Sequence, residues 1–105
     1  MSHWNDATRS AIEGYPHNRY LKIEAGETTA LLTISLSAQA AVHHVFCESH
    51  TGDSTLTLPA SSGGQTIHIH NNRYVDFDFK GLLTGGDFII DGTGVHYLIS
   101  YVLPF

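Results

Sequence analysis

The tripeptide His68-Ile69-His70 carries two imidazoles on alternate residues, and alternate residues of a strand share a face, so the pair could ligate one metal ion. His43, His44 and His96 would be the source of a third ligand from other strands. A metal centre also needs convergent carboxylates or thiolates and groups that orient the ligands from behind. The spacing supplies neither, and a solvent-facing or subunit-facing pair has the same pattern. No metal and no cofactor are therefore expected, and His68 and His70 stand as the weak candidates for a metal. The chain holds eight histidines, a high count, and an assembly interface containing them would respond to mild acid.

Asp76 and Asp78 are paired carboxylates, the residue types of a glycosidase. They alternate with Val75, Phe77 and Phe79, so they read as the wet face of an amphipathic strand and lack the facing geometry that flanks a glycosidic bond. Asp91-Gly92-Thr93-Gly94 lacks the repeated oxygen ligands of a calcium loop and reads as a hairpin turn. No G-x-S-x-G nucleophile elbow occurs, and Ser61-Ser62-Gly63-Gly64 leads into a strand, whereas phosphate cradles open a helix. No catalytic residues are expected, and the chain does not read as an enzyme. Tyr20, Tyr74, Tyr97 and Tyr101 could stack on sugars if exposed, or pack on a sheet face.

The elements that must position these residues are strands. Short runs rich in Val, Ile, Thr, Tyr and Phe, bounded by Gly, Asp, Asn or Ser, recur from Arg19 onward. Leu21 and Ile23 share one face of the first run, with Lys22 and Glu24 on the other. Leu32, Ile34 and Leu36, then Ile67 and Ile69, then Val75, Phe77 and Phe79 mark inward faces of later runs, and Gly81 is expected to end the last of these. Residues 60–64 form the most glycine- and serine-rich, most flexible stretch. No segment after Gly14 has sustained helical periodicity, which excludes alternating strand-helix architectures. The expected fold is all-β: an antiparallel β-sandwich or jelly roll of about seven to eight strands, with an N-terminal arm. The expected division is an arm over residues 1–18 and a β-sandwich domain over residues 19–105.

The 105 residues suffice for one domain with a core that needs no disulfide or metal. Charged residues are only 14%, against roughly 25% in an average chain, so the surface is weakly charged and suited to packing among copies. Five basic against ten acidic residues, with no basic cluster, argue against nucleic acid. No apolar run has the length of a membrane span and the N-terminus lacks signal-peptide regions, so neither membrane nor export is expected. Cys47 has no cysteine partner and reads as a small core or interface residue of a strand. Trp4, Ile12 and Tyr15, among polar residues of the arm, are the candidate partner-binding residues.

The order of elements resembles the small β-sandwich virion proteins of tailed bacteriophages, of the capsid decoration or cement type. The resemblance spans about Leu21 to Val102 and is one of layout. It is carried by Ile23-Glu24-Ala25-Gly26-Glu27-Thr28-Thr29, Ala41-Val42-His43-His44-Val45-Phe46, Ser54-Thr55-Leu56-Thr57-Leu58 and Val75-Asp76-Phe77-Asp78-Phe79. The stretch Gly85 to Gly94 and the closing Tyr97-Leu98-Ile99-Ser100-Tyr101-Val102 complete it. The resemblance implies a protein made in the host cytoplasm and located on the virion capsid surface. Its partners would be the major capsid protein and itself, as a homotrimer, with a terminal arm lying on the shell. The alternatives are a carbohydrate- or receptor-binding β-sandwich module, or a head or tail accessory structural protein. A small cupin-like metalloenzyme using His68, His70 and His96 is the third reading.

Overall fold

The computed structural model describes residues 21–103. The runs of β-branched and aromatic residues form eight strands: β1 (Leu21–Glu27), β2 (Leu32–Ser35), β3 (Ala41–Glu48), β4 (Ser54–Thr57), β5 (Thr66–Ile69), β6 (Tyr74–Thr84), β7 (Asp87–Asp91) and β8 (His96–Val102). They make two antiparallel four-stranded sheets, ordered β1-β8-β3-β6 and β2-β7-β4-β5. The first strand pairs with the last, the second with the seventh, the third with the sixth and the fourth with the fifth. That nested pairing, folded into two layers, is the jelly-roll arrangement. Every expected strand is present, and the fold is the all-β sandwich the alternation predicts.

The core lies between the layers. Val42, Val45, Cys47 and Ile99 of one sheet meet Ile34, Leu56, Ile69, Phe88 and Ile90 of the other, all buried. Val75, Phe77 and Phe79 pack against this core from β6 as their alternation predicts.

Three details depart from the expectations. The first is the facing of β1: Lys22, Glu24 and Gly26 pair with Tyr101, Ile99 and Tyr97, which point inward, so Leu21, Ile23 and Ala25 face outward. The parity of β8 is fixed by the core, and β1, an edge strand, must follow it. Its inward charges stay exposed at the sandwich margin, a placement that also discourages another strand from adding there.

The second is the end of β6, which does not stop at Gly81. Opposite the single residue His43, β6 loops out residues 79–82, because Val42 pairs with Leu83 and His44 with Asp78. His43 is also the extra residue of β3 against β8. This bulge lets Val42 and Val45, an odd number of residues apart, both point into the core. Lys80 and Gly81 take left-handed φ of 55° and 81° there, and a Cβ on Gly81 would stand 3.1 Å from His43 Nε2.

The third is Asp91-Gly92-Thr93-Gly94, which joins β7 to β8 in different sheets and is a crossover, not a hairpin. The stretch expected to be most flexible contains a 3-10 turn over Ala60–Ser62 closed by Gly63 in the left-handed conformation.

Candidate functional site

The jelly roll separates the histidines. His68 lies on β5, exposed on the outer face of the β2-β7-β4-β5 sheet between Thr66 and His70. His43, His44 and His96 belong to the other sheet, across the core. A three-histidine centre built from His68, His70 and His96 is thereby excluded, because strand alternation turns both sets outward on opposite sides of the sandwich. Among the described residues, no group of three or more His, Cys, Asp or Glu is gathered as a metal site requires.

The histidines instead stand beside carboxylates. His44 contacts Asp76, two residues before its register partner Asp78 on the same face of β6. His50 Nε2 lies 3.2 Å from Glu48, His96 Nε2 lies 3.6 Å from Glu27, and His70 Nδ1 lies 3.8 Å from Asp53. The rings of His50 and His96 meet edge to face at 4.6 Å. All these side chains are well exposed, so each pair contributes at most about 1 kcal/mol.

The tyrosines divide as well. Tyr101 is buried, Tyr97 packs against the core, and Tyr74 is 63% exposed beside Phe46, with ring centroids 5.9 Å apart. Of the tyrosines that could stack on sugars or pack on a sheet face, Tyr97 and Tyr101 do the latter, because β8 turns them inward, and Tyr74 alone is exposed among the described residues; Tyr20 lies outside them. Cys47 is fully buried, and burial pushes its thiol up to about 12. Burial likewise raises the Tyr101 phenol, and the Glu24 carboxylate adds to the effect. Asp76 and Asp78 point to solvent as the alternation predicts. Trp4, Ile12 and Tyr15, with the rest of the proposed arm, lie outside the described residues.

Two loop-end and surface features collect polar groups. Thr28, Thr51 and Thr93 bring the β1-β2, β3-β4 and β7-β8 connections together: Thr51 donates to the Thr93 carbonyl and Thr28 to the Gly92 carbonyl. These hydroxyls are engaged in holding the loops. On the outer face of the second sheet, Asp53, Thr55, His68 and Asp91 line a shallow basin of about 350 Å³.

The larger contrast lies between the two outer faces. The β2-β7-β4-β5 face presents Thr33, Ser35, Thr55, Thr57, Thr66, His68, Asp87 and Asp91, with Ile89 its one large apolar residue. On the β1-β8-β3-β6 face, Ala25, Leu98 and Phe46 lead to Asp76 in one row across the strands, Leu21, Val102 and Ala41 lead to Thr84 in another, and the row between them is Ile23, Ser100, His44 and Asp78. Ile23 is 40% exposed there, and Leu82, lifted by the bulge, is 86% exposed. The apolar part of this outer face escapes a reading by alternation, since its residues sit between core residues of the same strands. Its signal is the unbroken apolar runs Val45-Phe46-Cys47 and Tyr97-Leu98-Ile99, apolar on both faces of a strand. Comparison with protein-family models, curated proteins and solved structures found no match.

Proposed function

We propose that the chain is a bacteriophage virion structural protein, a capsid decoration or cement subunit that binds the shell surface and stabilises contacts between capsid subunits. The observation that carries this reading is the set of apolar residues turned outward on one sheet. The core already occupies the inner faces of both sheets, yet the β1-β8-β3-β6 sheet presents Ile23, Leu98, Phe46, Tyr74 and Leu82 outward as well. Burying apolar area is worth about 25 cal/mol per Å², so a face of this kind gains by being covered, as a subunit in an assembly covers it. Double-sheet jelly rolls serve in viral shells, lectins and cupins, so the fold alone does not choose among them. The weakly charged surface and the layout of strands favour the shell.

The test is the solution mass of the purified chain by light scattering, repeated after adding empty capsids and pelleting them. A trimer that pellets with shells is the expected result. A monomer that stays in the supernatant overturns the reading and makes a glycan screen the next step. The carbohydrate-binding alternative draws on the basin of Asp53, Thr55, His68 and Asp91, whose carboxylates and hydroxyl suit sugar hydroxyls. No aromatic platform lines that basin, and Tyr74 belongs to the opposite sheet.

A further inference from the structure

We infer that the square formed by Phe46, Glu48, Tyr74 and Asp76 on the outward face of the β1-β8-β3-β6 sheet is a binding site for a neutral saccharide; this goes beyond the assembly reading and does not rest on it. Three observations lead there.

The first is the placement of the rings. The antiparallel register of β3 and β6 sets Glu48 opposite Tyr74 and Phe46 opposite Asp76. Alternate residues of a strand share a face, so the aromatic rings take one diagonal of the square and the carboxylates take the other. The rings meet along their diagonal, with centroids 5.9 Å apart and planes tilted by 32°, and Tyr74 is 63% exposed. Together they form an open apolar platform with a carboxylate on either side. A pyranose has the complementary shape, with C–H groups on its face and hydroxyls around its rim, and an apolar bed flanked by a few convergent polar groups is how small polar ligands are held.

The second is the company of the carboxylates. His50 Nε2 stands 3.2 Å from Glu48, and His44 contacts Asp76. Each acid therefore has an imidazole beside it. A carboxylate only accepts hydrogen bonds, whereas a neutral imidazole donates from one nitrogen and accepts at the other. A hydroxyl does both as well, so the two pairs match a saccharide rim. A guanidinium or ammonium group only donates, and the N–H donors of the imidazoles have nothing to offer it.

The third is the sign of the surroundings. Among the described residues, the register positions that face outward on these four strands include Glu27, Glu48, Asp76 and Asp78 and no Lys or Arg. Such a surface repels sulfated, sialylated and uronate-bearing glycans, and neutral ones remain. Leu82 lies toward the opposite end of β6 from Tyr74, so a shell contact there and a saccharide here are compatible.

The experiment applies the full chain to an array of neutral, sialylated and sulfated glycans and follows the neutral glycans that bind by calorimetry. Neutral glycans are expected to bind and anionic ones to be rejected. Tyr74→Ala should weaken the affinity about tenfold, and Tyr74→Phe should keep it, as stacking requires. Glu48→Gln, which keeps the shape and removes the charged acceptor, should also cost about tenfold. His68→Ala, in the basin on the opposite face, should change nothing. Each variant is first shown to be folded by circular dichroism, and Asp76→Asn takes the place of any that is not, with the same expected loss. An array on which no neutral glycan binds overturns the inference, as does binding that survives both Tyr74→Ala and Glu48→Gln or is lost in His68→Ala. A nona-arginine peptide is titrated in parallel, and a chain that binds it and no glycan also overturns the saccharide assignment, in favour of a basic partner.

Discussion

The hydroxyl of Thr28 accepts the backbone N–H of Val95 at 3.0 Å and donates to the carbonyl of Gly92 at 2.6 Å, across a separation of more than sixty residues in the chain. Thr28 is buried, and with its own N–H on the Val95 carbonyl it fastens the exit of β1 to the β7-β8 crossover. Thr28→Val keeps the shape and leaves the Val95 N–H buried without its acceptor. The expected loss is about 2 kcal/mol, read by urea denaturation, and Thr28→Ser should restore most of it.

Gly85 stands where no side chain fits. A Cβ there would lie 1.9 Å from the Ser37 carbonyl oxygen, a backbone atom that cannot swing away. Gly85→Ala should cost about 4 kcal/mol or more and abolish soluble expression or lower the melting temperature steeply. Gly52→Ala is the comparison: its Cβ meets nothing within 4 Å, but φ is +126°, so a cost of about 1–3 kcal/mol from backbone strain alone is expected.

The buried thiol of Cys47 makes stability depend on alkaline pH. Its value in the folded chain, about 12, lies above that of an exposed thiol, about 8.5, so above the latter the unfolded state releases the proton first. The stability associated with the neutral thiol is complete below the unfolded value and is lost as pH rises toward 12, at up to about 1.4 kcal/mol per pH unit. Denaturation curves between neutral pH and mild alkali should show this slope in the wild type and a shallower one in Cys47→Ala. The raised Tyr101 phenol adds a further decline at higher pH. By the same burial, a thiol reagent should label Cys47 only as the protein unfolds.

Lys80 occupies the left-handed region at φ 55°, with its N–H held by Asp78 Oδ1 at 3.0 Å. Glycine takes this conformation without the steric cost, offset in part by its freer unfolded chain. Lys80→Gly should therefore stabilise the domain by about 0.5–1 kcal/mol, a few degrees in melting temperature, and Lys80→Val should lower it.

What could be read from residues alone was the part set by near neighbours. Val75, Phe77 and Phe79 alternate with charges, so their inward face is legible without knowledge of the partner strand. Ile67 and Ile69 behave likewise. The facing of β1 was not legible, because Leu21 and Ile23 have the pattern of a core face and only the register with β8 turns them outward. Asp91-Gly92 announces that the chain reverses but not which strand it will meet, and here it meets the other sheet. The candidate site was lost for the same reason. Whether His68 and His96 converge, and whether Ile23, Leu98 and Phe46 share one surface, depends on strand order, which no local pattern encodes.

The nested pairing has a consequence for how the chain reaches its structure. Among the described residues, only β4 and β5 are neighbours both in sequence and in a sheet, so theirs is the pairing a short loop can close early. Each further pair, β3 with β6, β2 with β7 and β1 with β8, spans a longer stretch than the one before. Loop-closure entropy and high contact order make such a topology slow, in the range of milliseconds to seconds. On the ribosome β1 must wait, unpaired, for β8 to emerge. During that interval Leu21 and Ile23 are free to find the wrong partner, and a polysome crowded with identical nascent chains is where copies first meet.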